Sequence, residues 1–168
     1  HNGVRITNGT VQQFAFGVID LNGFKKVNDT HGHFYGDELL RQAAKRIEGA
    51  LRAADTAARF GGDEFTVLLS PADWAACLTV LDRIQAALNA PYILSDTQVT
   101  VSASIGVAIF PVHGKDADTL LFNADLAMYA AKAKGGGISV FEPGAAGQNK
   151  DATASIARAG GGASAYTN

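Results

Sequence analysis

A chain of 168 residues is the size of one domain and long enough to bury a core without disulfides or structural metals. Hydrophobic residues make up 47% and charged residues 18%, which excludes a disordered or fibrous polymer, and the net charge of -2 excludes a broad basic nucleic-acid footprint. The single cysteine, Cys77, rules out an internal disulfide and a C-x-x-C metal pair.

Residues 1–10 are polar and read as a leader, a linker or residues foreign to the domain. Phe14 to Asp20 is a short apolar, β-branched and aromatic run, which predicts a buried central strand with Asp20 at its carboxyl end. A loop is expected next, where Gly23 permits close backbone approach and Lys25 adds a point charge. Helical spacing of Leu39, Leu40, Ala43, Ala44, Ile47 and Leu51 predicts a helix over Phe34 to Ala54. Thr56 to Phe60 and Glu64 to Ser70 read as strands joined at Gly61-Gly62, a two-residue turn needing positive φ that lifts Asp63 and Glu64 to its rim. Neighbours on a strand face opposite sides, so these two acids are expected to play different roles.

Pro71 to Leu88 predicts a second helix, with Trp74, Leu78, Leu81, Ile84 and Leu88 on its buried stripe. Alternation from Val99 to Ile109 marks the clearest strand; the apolar run to Val112 is too short to span a bilayer and the N-terminus lacks a signal pattern, so a cytoplasmic chain is expected. A membrane anchor elsewhere in a longer parent stays open. Asp118 to Lys134 reads as a third helix, Ile138 to Phe141 as a closing strand, and residues 143–168 as a Gly/Ala/Ser-rich tail or linker. The expected fold is α+β, one domain over residues 11–142 with a central, mainly antiparallel sheet flanked by helices.

Asp20, at a strand's carboxyl end, and Asp63, just past a tight turn, would come together if their strands are neighbours in such a sheet, and two carboxylates plus phosphate oxygens suit Mg²⁺. Each assignment has a plainer alternative. The hairpin acids could be a solvated turn, Asn28 and Asp37 helix caps, Arg52 a charge at a helix C-terminus, and Arg83 a solvated helix face. His31 and His33 have poor spacing for a metal pair, and Trp74, Cys77 and Met128 read as packing residues.

The stretch D-L-N-G-F-K-K-V-N-D-T-H-G-H-F-Y-G-D from Asp20 to Asp37, then R-F-G-G-D-E-F from Arg59 to Phe65 and M-Y-A-A-K-A-K-G from Met128 to Gly135, resembles the GGDEF domain of bacterial diguanylate cyclases. The resemblance runs from about Phe14 to Phe141, with several motifs in the right order. It implies a ferredoxin-like core of the nucleotide-cyclase and polymerase-palm type, and condensation of two GTP into cyclic di-GMP and pyrophosphate by a homodimer. Asp20, Asp63 and the Leu21 carbonyl would bind Mg²⁺ or Mn²⁺, and Glu64 would assist catalysis. Asn28 and Asp37 would read guanine, while Lys25, Lys132 and the backbone near Gly23 and Phe24 would bind phosphates. Arg52-Ala53-Ala54-Asp55 resembles the R-x-x-D site at which product inhibits, with Arg83 a possible third contact. Sensory domains upstream and a phosphodiesterase domain downstream are the implied neighbours, and a weak or inactive domain that binds nucleotide and regulates such a partner is the alternative.

Three departures accompany the resemblance. The family commonly has an N-terminal helix preceded by D-x-L-T-x-L-x-N-R, and this sequence begins after it. Asn22 stands where a second aspartate is common, and Gly136 stands where the family places a phosphate-binding arginine, with Lys134 the nearest replacement cation.

Overall fold

The structure is a computed structural model, and it describes residues 6–7, 10–70 and 73–144. Within the stretch read as a leader, β1 (Ile6–Thr7) and β2 (Thr10–Val11) pair antiparallel. Then come β3 (Phe14–Asn22), α1 (Phe24–His31), α2 (His33–Ala50), β4 (Thr56–Arg59) and β5 (Glu64–Leu69). They are followed by α3 (Trp74–Asn89), β6 (Tyr92–Leu94), β7 (Thr97–Val99), β8 (Ser102–Phe110), α4 (Ala117–Ala133) and β9 (Gly137–Val140). The tail from residue 145 onward lies outside the described residues.

Five strands form one sheet in the order β4-β5-β3-β8-β9, antiparallel throughout except for the parallel pair β8 and β9. The segment β3-α2-β4-β5-α3-β8 is a β-α-β-β-α-β unit of ferredoxin-like strand order, so the expected α+β class is found. Period-2 alternation divides the sheet between two layers. Ala15, Ile19, Leu21, Phe65, Val67, Leu69, Ala103, Ile105 and Val107 pack with Leu39, Ile47, Leu81, Ile84 and Leu88 of α2 and α3. Val18, Ala108 and Phe110 pack with Leu120, Ala124 and Met128 of α4.

Several local expectations change. The stretch after Asp20 is a helix, α1, rather than a loop, with Gly23 as its N-cap at φ 90°. The predicted helix to Ala54 ends at Ala50, because Leu51 turns extended at φ -77°, ψ 150° and Asp55 N–H closes a turn on the Arg52 carbonyl. α3 begins at Trp74 with Asp73 as N-cap, its carboxylate accepting from Ala76 N–H, while Pro71 lies outside the described residues. Trp74, expected on the buried stripe, sits at the helix start and is 38% exposed; Cys77 and Val80 take that stripe with Leu81, Ile84 and Leu88.

The alternating segment from Val99 splits in two. Thr97–Val99 pairs with Tyr92–Leu94, and only Ser102–Phe110 joins the main sheet. Its small residues do not face water. A Cβ on Gly106 would collide with Ala124 O and Met128 N, so the small side of β8 is where the α4 backbone lies against the sheet. An alternation of large and small thus stands here for a close-packed helix rather than for solvent.

Candidate active site

Strand register builds the site. Asp20 pairs with Glu64 of β5 on one side and with Ser104 of β8 on the other, and directly opposed residues share a face. All three therefore look toward α4. Asp63 was expected to be held apart from Glu64 by strand alternation, but it belongs to the turn. Gly61, Gly62 and Asp63 separate Phe60 from Glu64, whose C=O accepts from Phe60 N–H at 2.8 Å, and both glycines have positive φ, 67° and 42°. Three connecting residues rather than two leave Asp63 close enough for its charge to act on both Asp20 and Glu64.

Electrostatics follow from that crowding. Burial pushes the Asp20 carboxyl above its usual range, the Lys132 hydrogen bond partly offsets this, and the Asp63 charge raises it again. Lys132 Nζ donates to Asp20 Oδ2 at 2.7 Å. Burial works against the Lys132 ammonium, yet the bond to Asp20 prevails and raises its pKa. The Glu64 carboxyl is pushed up to about 8, first by burial, then by Asp125, Asp20 and Asp63. Asp125 is raised by burial, and the neighbouring Glu64 side chain partly offsets that rise. Sequence reading missed Asp125; the available signal was its i, i+7 spacing from Lys132, which puts both on the α4 face turned to the sheet.

The acids of this cluster suit a divalent cation in part. Among the described residues no group of three or more His, Cys, Asp or Glu side chains is arranged to hold a metal ion. Two carboxylates that repel one another, as Asp20 and Asp63 do, are nevertheless the protein share of a site completed by phosphate oxygens and water. The donor chemistry therefore fits Mg²⁺ bound together with a nucleotide.

Asp20 sits just ahead of the α1 N-terminus, where Gly23 caps the helix and the first backbone N–H groups, with Phe24 and Lys25 beside them, lack helical acceptors. Lys25 is solvent-exposed and only loosely paired with Asp29, at 3.8 Å. Asn28 lies on α1, and Asp37 is exposed on α2 immediately after Gly36, which the Asn28 carboxamide touches. Helix α1 thus joins the acidic end of the site to the pair expected to read a base.

Arg52 and Asp55 are brought together, but on each other. Arg52 Nε and Nη2 donate to the two Asp55 oxygens at 2.9 Å each, and the backbone N–H groups of Arg52 and Ser70 donate at 2.9 and 3.0 Å. Burial would raise the Asp55 carboxyl; these donors outweigh it and hold it below its usual range. Arg83 reaches across from α3 to donate to the Ala50 carbonyl, at 2.7 Å from Nη2, capping the end of α2. In this arrangement its guanidinium serves the helix terminus.

The two substituted positions prove to be neighbours. Asn22 Nδ2 donates to Ser102 Oγ and Ser104 Oγ, both at 2.9 Å, and a Cβ at Gly136 would lie 3.4 Å from that nitrogen. Gly135 N–H bonds to Lys132 O and Gly136 N–H to Ala131 O, the two bonds of a Schellman cap on α4. Gly136 adopts φ 119°, where a side chain is strained.

This geometry can be set beside known proteins. The family profile described as "Diguanylate cyclase, GGDEF domain" matches residues 4–137. The bifunctional diguanylate cyclase/cyclic di-GMP phosphodiesterase MucR of Pseudomonas aeruginosa is 44% identical over 124 residues, 74% of this chain and 18% of MucR. The diguanylate cyclase TpbB of the same organism is 46% identical over 131 residues, 77% of this chain and 30% of TpbB. The crystal structure of the TpbB GGDEF domain superimposes with a TM-score of 0.75 at 44% identity, covering 78% of this chain and 83% of that one. This chain therefore spans less than a third of the length of either curated relative. No helix among the described residues is long and apolar enough to cross a membrane. With the profile covering most of the chain, and a solved relative of closely similar fold, the chain belongs to the GGDEF domain family.

Proposed function

We infer that this domain is a diguanylate cyclase that condenses two GTP molecules into cyclic di-GMP. The observation that carries the reading is the convergence of Asp20, Asp63, Glu64 and Lys132 beside the N-terminus of α1. Asp20, Asp63 and the Leu21 carbonyl would hold Mg²⁺ or Mn²⁺, which when bound supplies charge neutralisation at the phosphates. The α1 amides with Lys25 and Lys132 orient the triphosphate, and Asn28 and Asp37 hold the guanine. Glu64, with a carboxyl near 8 beside the reacting centre, is matched to accept the proton of an attacking hydroxyl. Each 3′-oxygen bonds to the α-phosphorus of the other GTP, and each broken bond releases one pyrophosphate. A single domain offers half of such a site, so two copies act as a homodimer.

Arg52 and Asp55 are proposed as the product-inhibition site, with Arg83 beside it; on this reading product must share or displace the closed Arg52–Asp55 pair. MucR is named as both cyclase and phosphodiesterase, which supports an attached phosphodiesterase domain in a longer parent. The second reading, a nucleotide-binding domain with little turnover, is favoured by Gly136, which offers no side chain to a phosphate.

Incubation with GTP and Mg²⁺ at several protein concentrations, followed by chromatography, separates the two. Cyclic di-GMP formed at a rate that rises more steeply than protein concentration supports the cyclase. Its absence throughout, from folded protein that binds GTP, leaves the binding module.

A further inference from the structure

Asn28 and Gly36 belong to different helices, and the break between α1 and α2 brings them into contact. Asn28 C=O accepts from Gly32 N–H at 2.8 Å, and Gly32 C=O accepts from Gly36 N–H at 3.3 Å, so the ends of both helices meet at Gly32. There φ is 93° and ψ 166°, a conformation essentially confined to glycine. In a continuous helix, positions 28 and 36 would stand about 12 Å apart along the axis. The bend lays the Asn28 side chain on Gly36 instead. A Cβ built on Gly36 would collide with Asn28 Oδ1 and lie 2.8 Å from its Cγ, so the carboxamide occupies the space a methyl group would need.

Two further observations give this contact a purpose. Among the described residues Asn28 Oδ1 is buried and has no hydrogen-bond partner, a condition buried acceptors seldom tolerate. Gly36 is buried inside a helix, where alanine is the better helix former, and is followed directly by exposed Asp37. Position 36 therefore holds the weaker helix former at the one place where the carboxamide requires room.

We propose that Gly36 is a positioning residue for base selectivity: its missing side chain leaves the notch that buries Asn28 Oδ1, which fixes the carboxamide beside Asp37 so that the two side chains meet the 2-amino edge of guanine together. The proposal rests on the reading of Asn28 and Asp37 as guanine contacts, and adds the residue that sets their geometry. Gly32 supplies the bend and Gly36 the seat.

Binding of GTP, ITP and ATP is measured by calorimetry, with Ca²⁺ replacing Mg²⁺ to suppress turnover. ITP lacks only the 2-amino group of guanine. Gly36→Ala lowers the preference for GTP over ITP about tenfold, the worth of one hydrogen bond. In an Asn28→Ala background the same change leaves the preference unaltered and raises the melting temperature, because the obstructing atoms are gone and alanine favours the helix. Equal wild-type affinity for GTP and ATP overturns the guanine reading and the proposal with it. A wild type that prefers GTP to ATP but not to ITP, or a Gly36→Ala variant that retains the GTP preference, overturns the proposal alone. So does failure of Gly36→Ala to fold in the Asn28→Ala background.

Discussion

Lys132 Nζ lies 2.7 Å from Asp20 Oδ2, across 112 positions of sequence, and ties the last turn of α4 to the carboxyl end of the central strand. It is the cation that directly pairs with Asp20. Lys132→Met should therefore raise the Asp20 carboxyl further, visible as a higher titration midpoint by NMR of the metal-free protein. If Lys132 also holds phosphate, kcat/KM for GTP falls about 10- to 100-fold, the worth of a charged hydrogen bond. An unchanged midpoint removes the pair from the account of the site.

Glu64 gives a pH dependence with a definite sign. Its folded-state pKa of about 8 lies above the unfolded value, so the neutral acid contributes stability at low pH that is lost as pH rises through that folded value. Glu64→Gln, measured in chelator, should melt above wild type at about pH 8, and the gap should close toward about pH 5. A gap independent of pH contradicts the raised carboxyl.

Asp55 runs the other way. Burial opposes ionisation, but the Arg52 and Ser70 donors depress the carboxyl, so its stabilisation is present above the unfolded value and lost as pH falls through the lower folded value. Asp55→Ala removes the buried half of a pair whose guanidinium is partly exposed and should cost about 1–3 kcal/mol near pH 7 in urea titrations, with the difference shrinking below about pH 4. A constant difference down to strong acid denies the ion pair its role.

Gly136→Arg does not simply restore a family residue. The backbone sits at φ 119°, and a Cβ would lie 3.1 Å from the Ala103 carbonyl. The variant should lose about 1–3 kcal/mol of stability by thermal melting. Turnover that rises with no loss of stability would show that the cap on α4 rearranges freely.

Much of this was readable from residues. The strand ending at Asp20, the Gly61-Gly62 hairpin and the three long helices each follow from a periodicity or a turn requirement local to the chain. What was not readable depends on neighbours distant in sequence. Asp125 is an ordinary helix acid until register places Glu64 opposite Asp20 under α4. Helix α1 carries one buried residue, Val27, so it has no apolar stripe to announce it. Trp74 was misplaced because helical periodicity cannot tell a first-turn residue from a core one. The alternation in β8 was read correctly as a strand, but its small face belongs to a helix backbone that no local pattern reveals.

Asp20 is carried on β3, the middle strand of the sheet, with hydrogen-bonded neighbours on both sides, whereas the turn holding Arg52 and Asp55 leads into β4 at the edge. Middle strands open only when the whole domain opens, and edges open far more often. Amide exchange at Asp20 should therefore be among the slowest in the molecule, while the Arg52–Asp55 turn exchanges on its own. The strand that presents the carboxylate proposed to hold metal and the loop that would sense product thus run on separate clocks.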